Sequence, residues 1–599
     1  MGKKSNTKAR YLDLNPGSSS ALPSRFTPAR FRPDTELEIL RILKRAAADK
    51  NLQGIFINTS GLSADRAYLW ELQNALEVCR ASGKKIVAYF DDADFNLYCL
   101  LSFADKIVMD EGAALSFLGL SWGRFFAKET LEKAGIGFRE LRYLEYKSAN
   151  ETFTRTTISE ADREQYGAYL DDVFNLTKET ILKNRSLNEE DFNALLKEGF
   201  LLSPQEALRR SLVDALGRED AIREIIQKLE FPENPAESSA ELTIESSEAK
   251  AGANITDSSS QDKPPDTEEG TLSFVSAGDP SLSLLNHGRQ VPRYTSGKTR
   301  KIGAKEIAVI HARGNTDLEQ GMEARNIAKI IRVLGEKSSV KALIIRIDSP
   351  GGSAVAADYI NTAIQKVKAK MPVVVSLGQT AASGGYWAAM NGSHINASPY
   401  TLTGSIGVIG GWFFDRGLDA KLGLGIETLN KGEHADLPAG VILPRRDLSE
   451  DEEKLYQRCI LDLYADFVRK AALGRNMKDE ELEPLARGRV YSGKRALELK
   501  LVDSLGGYLE ALETARNLAK IPPSKKILIR EYPKLKFIES MAQRIFSSNL
   551  EGVPDLPGYL GFPLKRKIAS PLWEDLKYRL SHNGQAMPLL PCGILVSPP

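Results

Sequence analysis

Short, strongly apolar runs alternate with helix-length amphipathic stretches along most of the chain. In the later half the runs are EIAVIHA (306–312), LIIRI (343–347) and VVVSL (373–377). The spacing between them predicts helices over Met322–Leu334 and Ala354–Ala369. Unbroken apolar runs of this length suit strands buried on both faces, and strand–helix–strand alternation builds a largely parallel sheet. Two long charged stretches, Ser449–Leu473 and Lys494–Lys520, predict helices that close the unit.

The same rhythm occurs earlier in the chain. GIFIN (54–58) matches LIIRID (343–348), and KIVAYF (85–90) matches PVVVSL (372–377). LLSFADKIVMDEGAALSFLGL (100–120) aligns with AAMNGSHINASPYTLTGSIGV (388–408), and SPQEALRRSLVDALG (203–217) with SGKRALELKLVDSLG (492–506). Two generic α/β units would not keep several patterns at one near-constant offset. The chain therefore reads as a duplicated domain rather than a solenoid of short repeats.

Residues 231–304 break the rhythm. Their Ser, Glu, Asp, Pro and Gly content, as in SSSQDKPPDTEEG (258–270), offers too little apolar surface to offset ordering entropy. The expectation is a disordered polar linker. The resulting plan is an N-terminal extension (1–33), a first repeat (34–230), the linker (231–304), a second repeat (305–521) and a tail (522–599). The tail is Pro-rich and has no assignable fold.

Composition narrows the function. The length of 599 residues suits two to four domains, and 42% hydrophobic with 27% charged residues is globular. A net charge of +1 argues against a chain-wide nucleic-acid footprint. Four cysteines without a CxxC pair exclude a disulfide framework and a Cys-type zinc site, and five histidines without an HExxH pattern speak against a metal enzyme. The best apolar runs fall short of a membrane span: Ala113–Phe126 is interrupted by Arg124, and Ala586–Pro599 carries four prolines. The basic start has no apolar stretch after it, so no signal peptide is expected and the chain reads as soluble as written.

Three Gly-rich turns crowd the second repeat, each after an apolar strand: DSPGGSA (Asp348–Ala354), AASGGYWAA (Ala381–Ala389) and LTGSIGVIGG (Leu402–Gly411). Glycines there permit close backbone approach, and exposed N–H groups can hold an oxyanion. Ser383 stands between a strand and a helix, where a hydroxyl projects into a cleft. In the first repeat the aligned position falls on Phe95 or Asn96, and TSGLS (59–63) stands opposite SPGG. One site per chain follows. A serine nucleophile needs a proton acceptor. His394 and His434 lie in the second repeat, and a lysine serves if burial lowers its pKa by about 3 units. Lys147 and Lys431 occupy corresponding places in the two repeats.

DSPGG, AASGGYW, TGSIGVIGG and YKSANETF, in this order of roles, resemble the S49 serine peptidases in their long, tandem-repeat form, over about Ala9–Ile521. The resemblance implies an α/β fold in which each repeat is Clp protease/crotonase-like. It implies a Ser/Lys dyad, no metal and no cofactor. Ser383 matches the nucleophile, Lys147 the general base, and Ser405 the hydroxyl that orients the lysine. Gly352 and Gly384 match the oxyanion hole. Lys431, in LNKGEHADL, resembles the base of the single-repeat form and is the alternative base. The implied partners are signal-peptide remnants, other unfolded apolar peptides and copies of the chain itself, in a tetrameric ring or dome. ARYLDL (9–14) matches the family's first strand with little ahead of it, where long-form members carry a membrane anchor. Membrane association, at the periplasmic face of a bacterial inner membrane, is expected if the start is truncated. Two other readings are a crotonase-like acyl-CoA enzyme, which needs neither Ser383 nor a lysine, and a non-catalytic ring scaffold or chaperone for extended apolar segments.

Overall fold

The computed structural model describes residues 8–16, 35–230, 271–276 and 305–533, with Arg579, Asn583 and 594–596 beyond them. Most of the expected linker and tail, and residues 17–34, lie outside the described residues. The first half contributes strands Lys8–Leu14 (β1), Gly54–Asn58 (β2), Lys85–Ala93 (β3), Lys106–Leu115 (β4), Ser121–Gly123 (β5), Ile136–Leu141 (β6) and Ala215–Leu216 (β7), followed by Thr271–Ser276 (β8). The second contributes Glu306–Arg313 (β9), Val340–Ser349 (β10), Val373–Ala382 (β11), His394–Ala397 (β12), Leu402–Gly404 (β13), Gly410–Asp415 (β14), Val490–Ser492 (β15), Ser504–Leu505 (β16), Leu528–Tyr532 (β17) and Ile594–Val596 (β18).

Fourteen of these strands form two related sheets, while β6 with β14 and β5 with β18 make two small antiparallel pairs. The first runs β7-β4-β3-β2-β1-β8 and is parallel throughout. The second runs β15-β13-β11-β10-β9-β17, with β12 beside β11 and β16 beside β12, and only β15 is antiparallel. The central strands are almost wholly buried, as their unbroken apolar runs require. The sheets share one apolar cluster: Leu12, Ile55 and Ile86 of the first belong with Ile307, Ile344 and Val374 of the second, joined by Leu72 and Leu512 from intervening helices. A buried ion pair crosses the same boundary, Arg346 to Glu71 at 2.6 Å, and the Tyr508 N–H donates to Glu71 at 2.9 Å. Burial pushes the Glu71 carboxyl up, while Arg346 pulls it back down.

The structure departs from the sequence expectations in four places. The polar linker contains a strand: β8 pairs with β1 from Lys8↔Thr271 to Asp13↔Ser276. The tail supplies β17, which pairs with β9 in the same way. Each sheet is thus extended by the segment that follows its repeat. A composition averaged over seventy residues hides a six-residue run such as TLSFVS. The single long helix expected over Lys494–Lys520 is two helices, Gly493–Glu498 and Tyr508–Leu518, with β16 between them. They part at Gly506–Gly507, where a Cβ on Gly507 would stand 2.3 Å from the Glu71 side chain. Finally, Ser383 heads the helix Gly384–Ala389, and its counterpart heading Phe95–Leu101 is Asp94, neither Phe95 nor Asn96. Asp94 caps that helix, accepting from the Asn96 and Leu97 N–H groups. Among the described residues, no helix is long and apolar enough to cross a membrane.

Candidate active site

Ser383 sits at the joint between β11 and the short helix Gly384–Ala389, with φ 56° and ψ −117°. A residue with a Cβ rarely adopts this conformation, and it persists only where the surroundings impose it. Here the Ser383 N–H donates to Gly404 O at 2.8 Å, and Ser383 O accepts from the Trp387 N–H at 2.8 Å. The glycines after it allow the helix to close onto β10. A Cβ on Gly385 would lie 2.7 Å from Ser349 O. The whole joint, Ser383 included, is buried.

The amine at this serine comes from the other repeat. β6 pairs antiparallel with β14, from Ile136↔Asp415 to Leu141↔Gly410, and the chain leaving β6 carries Lys147 into the second repeat. Lys147 Nζ lies 2.6 Å from Ser383 Oγ and 2.9 Å from both the carbonyl and the hydroxyl oxygen of Ser405. Lys147 is fully buried, and desolvation alone pushes its ammonium well below the ordinary lysine range. A neutral amine suits these partners. As a neutral amine, Nζ can donate two N–H groups to Ser405 and accept from the Ser383 hydroxyl.

The turn bearing Lys147 is clamped on both sides. Arg124 Nη1 donates to Ser148 O at 2.8 Å, and Gln165 Nε2 donates to Tyr146 O at 3.0 Å. The Arg124 guanidinium, wholly buried, is balanced by Asp162 at 3.2 Å and Glu151 at 3.6 Å. The Ser148 hydroxyl donates to Asp162. From the second repeat, Arg487 O accepts from the Tyr146 N–H at 3.1 Å. Gly488, with φ +87°, passes so close that an added Cβ would stand 2.6 Å from Lys147 N.

Gly352 and Gly384 lie side by side. A Cβ on Gly384 would be 3.1 Å from Gly352 N, and Gly351 and Gly352 have φ 107° and 153°. Thr316 ties down their turn: its N–H donates to Gly351 O at 2.8 Å, and its carbonyl accepts from the Ser353 N–H at 2.7 Å. The Gly384 N–H is the first of its helix and has no intrahelical acceptor.

Other candidates stand elsewhere. Lys431 is exposed in an irregular stretch between the helices Leu418–Lys421 and Glu450–Arg475, and the structure does not bring it to Ser383. His394 pairs with Ser504 Oγ at 2.8 Å, and His434 with Glu452 at 2.8 Å. Sequence reasoning missed Arg124, Gln165, Asp162 and Gly488. Arg124 left one signal, as the lone charge in an apolar run. Gly488 left none, since only its distance to Lys147 marks it.

The second repeat, a largely parallel sheet with a serine at a strand–helix joint between glycine turns, has a Clp protease-like fold, and the Clp protease family model matches residues 311–398. More narrowly, the chain belongs to peptidase family S49, whose model matches residues 79–230 and 365–522, one stretch in each repeat. It is similar to the chloroplastic serine protease SPPA of Arabidopsis thaliana, 27% identical over 86% of this chain and 69% of that one. It is also similar to protease 4 of Haemophilus influenzae, 25% identical over 94% of this chain and 86% of that one. A putative signal peptide peptidase SppA of Enterococcus faecium is 33% identical over 33% of this chain and 56% of its own length. Family and relatives alike make the chain a serine peptidase.

Proposed function

We propose that the chain is an endopeptidase working through a Ser383/Lys147 dyad, with Ser405 holding the amine and the Gly352 and Gly384 N–H groups receiving the oxyanion. The observation that carries this reading is the 2.6 Å approach of a fully buried amine to a fully buried serine hydroxyl. Neutral Lys147 takes the hydroxyl proton as Ser383 Oγ attacks the scissile carbonyl carbon. The carbonyl oxygen becomes an oxyanion facing the two amides, each such donor contributing about 2.7–4 kcal/mol. The new ammonium gives its proton to the departing amine as the C–N bond breaks. Lys147, neutral again, takes a proton from water as its oxygen attacks the acyl carbon, and the ammonium returns that proton to Ser383 Oγ as the ester bond breaks and the acid leaves. Ser405 keeps the amine pointed at Oγ in both halves. No metal or cofactor enters any step.

The working unit in this reading is the pair of repeats, 34–230 and 305–521, one supplying the base and the other the nucleophile. The substrates are extended apolar peptides, signal-peptide remnants among them, in keeping with the resemblance and with the name of the Enterococcus relative. Copies assemble into a ring, with a tetramer as the expectation. A fluorophosphonate probe and an unfolded apolar protein substrate test the chemistry together. Wild type should label and cleave; Ser383→Ala and Lys147→Ala should do neither while remaining folded; Lys431→Ala should behave as wild type. Activity that survives Lys147→Ala but not Lys431→Ala would overturn the assignment of the base.

A further inference from the structure

One short segment, residues 487–490, touches both the serine that holds the amine and the turn that carries it. Arg487 and Gly488 have φ 52° and 87°, and Val490 then opens β15 opposite Gly404 of β13. On one side the segment holds Ser405 and its neighbour: the Ser405 N–H donates to Arg489 O at 2.7 Å, and the Gly488 N–H to Ile406 O at 2.8 Å. Ser405 has φ 51°, a conformation that a residue with a Cβ keeps only under such constraint. On the other side the segment holds the first repeat. Besides the Arg487 carbonyl on the Tyr146 N–H, the Val490 N–H donates at 3.1 Å to Oε1 of Gln165, whose Nε2 donates to Tyr146 O.

The Arg489 side chain joins the two sides at the surface. Its Nη2 donates to Glu164 Oε1 at 2.6 Å, and its Nη1 to the Tyr146 hydroxyl at 3.3 Å. That hydroxyl donates in turn to Glu164 Oε2 at 2.9 Å. The guanidinium also lies 4.7 Å from the centre of the Tyr146 ring. A planar fork can reach a carboxylate and a phenol while stacking on a ring, which an ammonium cannot. Tyr146 immediately precedes Lys147. In the first repeat the corresponding position, three before Ser203 as Arg489 is three before Ser492, is Phe200. The repeat without the serine thus lacks the cation.

We propose that Arg489 is a positioning residue for the dyad: its carbonyl fixes Ser405, its guanidinium fixes Tyr146, and together they set the approach of Lys147 Nζ to Ser383 Oγ. This role rests on the Ser383/Lys147 reading. The ion pair adds little to the stability of the fold, because the Arg489 and Glu164 side chains are 29% and 52% exposed. Its leverage is geometric. The chemistry runs across the 2.6 Å between amine and hydroxyl, and a displacement of about 1 Å can cost about a hundredfold in rate. Activity should therefore respond to the pair much more strongly than stability does.

The test measures peptide cleavage, fluorophosphonate labelling rate and thermal unfolding for Arg489→Met, Arg489→Lys, Glu164→Gln and the double variant Arg489→Met/Glu164→Gln. Arg489→Met should lower kcat and the labelling rate at least tenfold, with KM within twofold of wild type and Tm within about 3 °C. Glu164→Gln should behave in the same way. The double variant should be no slower than the slower single one, since both substitutions open one clamp. Arg489→Lys keeps the charge without the fork and should stay well below wild type. Raising NaCl from about 0.05 to about 0.5 M should narrow the gap between wild type and Arg489→Met, because salt screens an exposed pair. Labelling within twofold of wild type in Arg489→Met, a loss confined to KM, a kcat loss matched by a collapse in Tm, or single losses that multiply in the double variant would each overturn the role while Lys147→Ala still abolishes labelling. Labelling that survives Lys147→Ala would overturn the dyad, and this role with it.

Discussion

Replacing Lys147 by methionine tests the buried amine through stability rather than through turnover. Methionine has similar length and fills the same space without a charge. An unfolded lysine titrates near 10.4, so holding Lys147 neutral at pH 7 costs roughly 3 pH units at ~1.4 kcal/mol each, about 4–5 kcal/mol. The variant avoids that cost but loses three hydrogen bonds, one with Ser383 and two with Ser405, at about 1 kcal/mol each, and leaves the Ser405 carbonyl unpaired. Net stabilisation of about 1–2 kcal/mol is expected at pH 7. The sign of its pH dependence follows from linkage. The folded pKa lies below the unfolded one, so between them the unfolded chain binds the extra proton and wild-type stability rises with pH. The advantage of Lys147→Met should therefore be largest near neutral pH, fall by ~1.4 kcal/mol per pH unit, and reverse before pH ~10, where the cost of neutralisation is gone and the lost hydrogen bonds remain. Thermal unfolding of both proteins from pH 6 to 10 reads this as a difference in Tm of several degrees that shrinks with pH. A methionine variant less stable at every pH, or an advantage constant with pH, would refute a neutral buried amine at Ser383.

Cleavage by wild type should rise with pH as Lys147 loses its proton, and Ser405→Ala should lower kcat at every pH while leaving probe labelling detectable, both read from initial rates. Gly488→Ala should depress kcat at least tenfold with little change in KM, because a Cβ there meets the Lys147 backbone at 2.6 Å. Arg124→Met should lower both activity and Tm, since it frees the Ser148 carbonyl and leaves Asp162 and Glu151 buried without their cation; a loss of about 3–5 kcal/mol is expected from unfolding curves. Glu71→Gln should cost stability of similar order by stranding Arg346, with labelling of the folded fraction unchanged.

The sequence by itself determined the repeated α/β architecture. Apolar runs such as GIFIN and LIIRI can be satisfied only as buried parallel strands, and a constant offset between repeats requires no knowledge of packing. It also marked the glycine turns, because a chain that must pass close to a neighbour or adopt positive φ leaves glycine in the sequence. It did not separate Lys147 from Lys431. Both lysines follow similar local sequence, and their difference is burial: one is carried by β6 onto β14 into a dry site, and the other stands in solvent. Nor did it show β8 and β17, whose pairing is paid for by a sheet edge lying far away in sequence. Desolvation and strand pairing between distant segments are properties of the folded chain. They alone decided which amine meets Ser383, why Gly488 stands beside it, and why Arg124 is buried behind it.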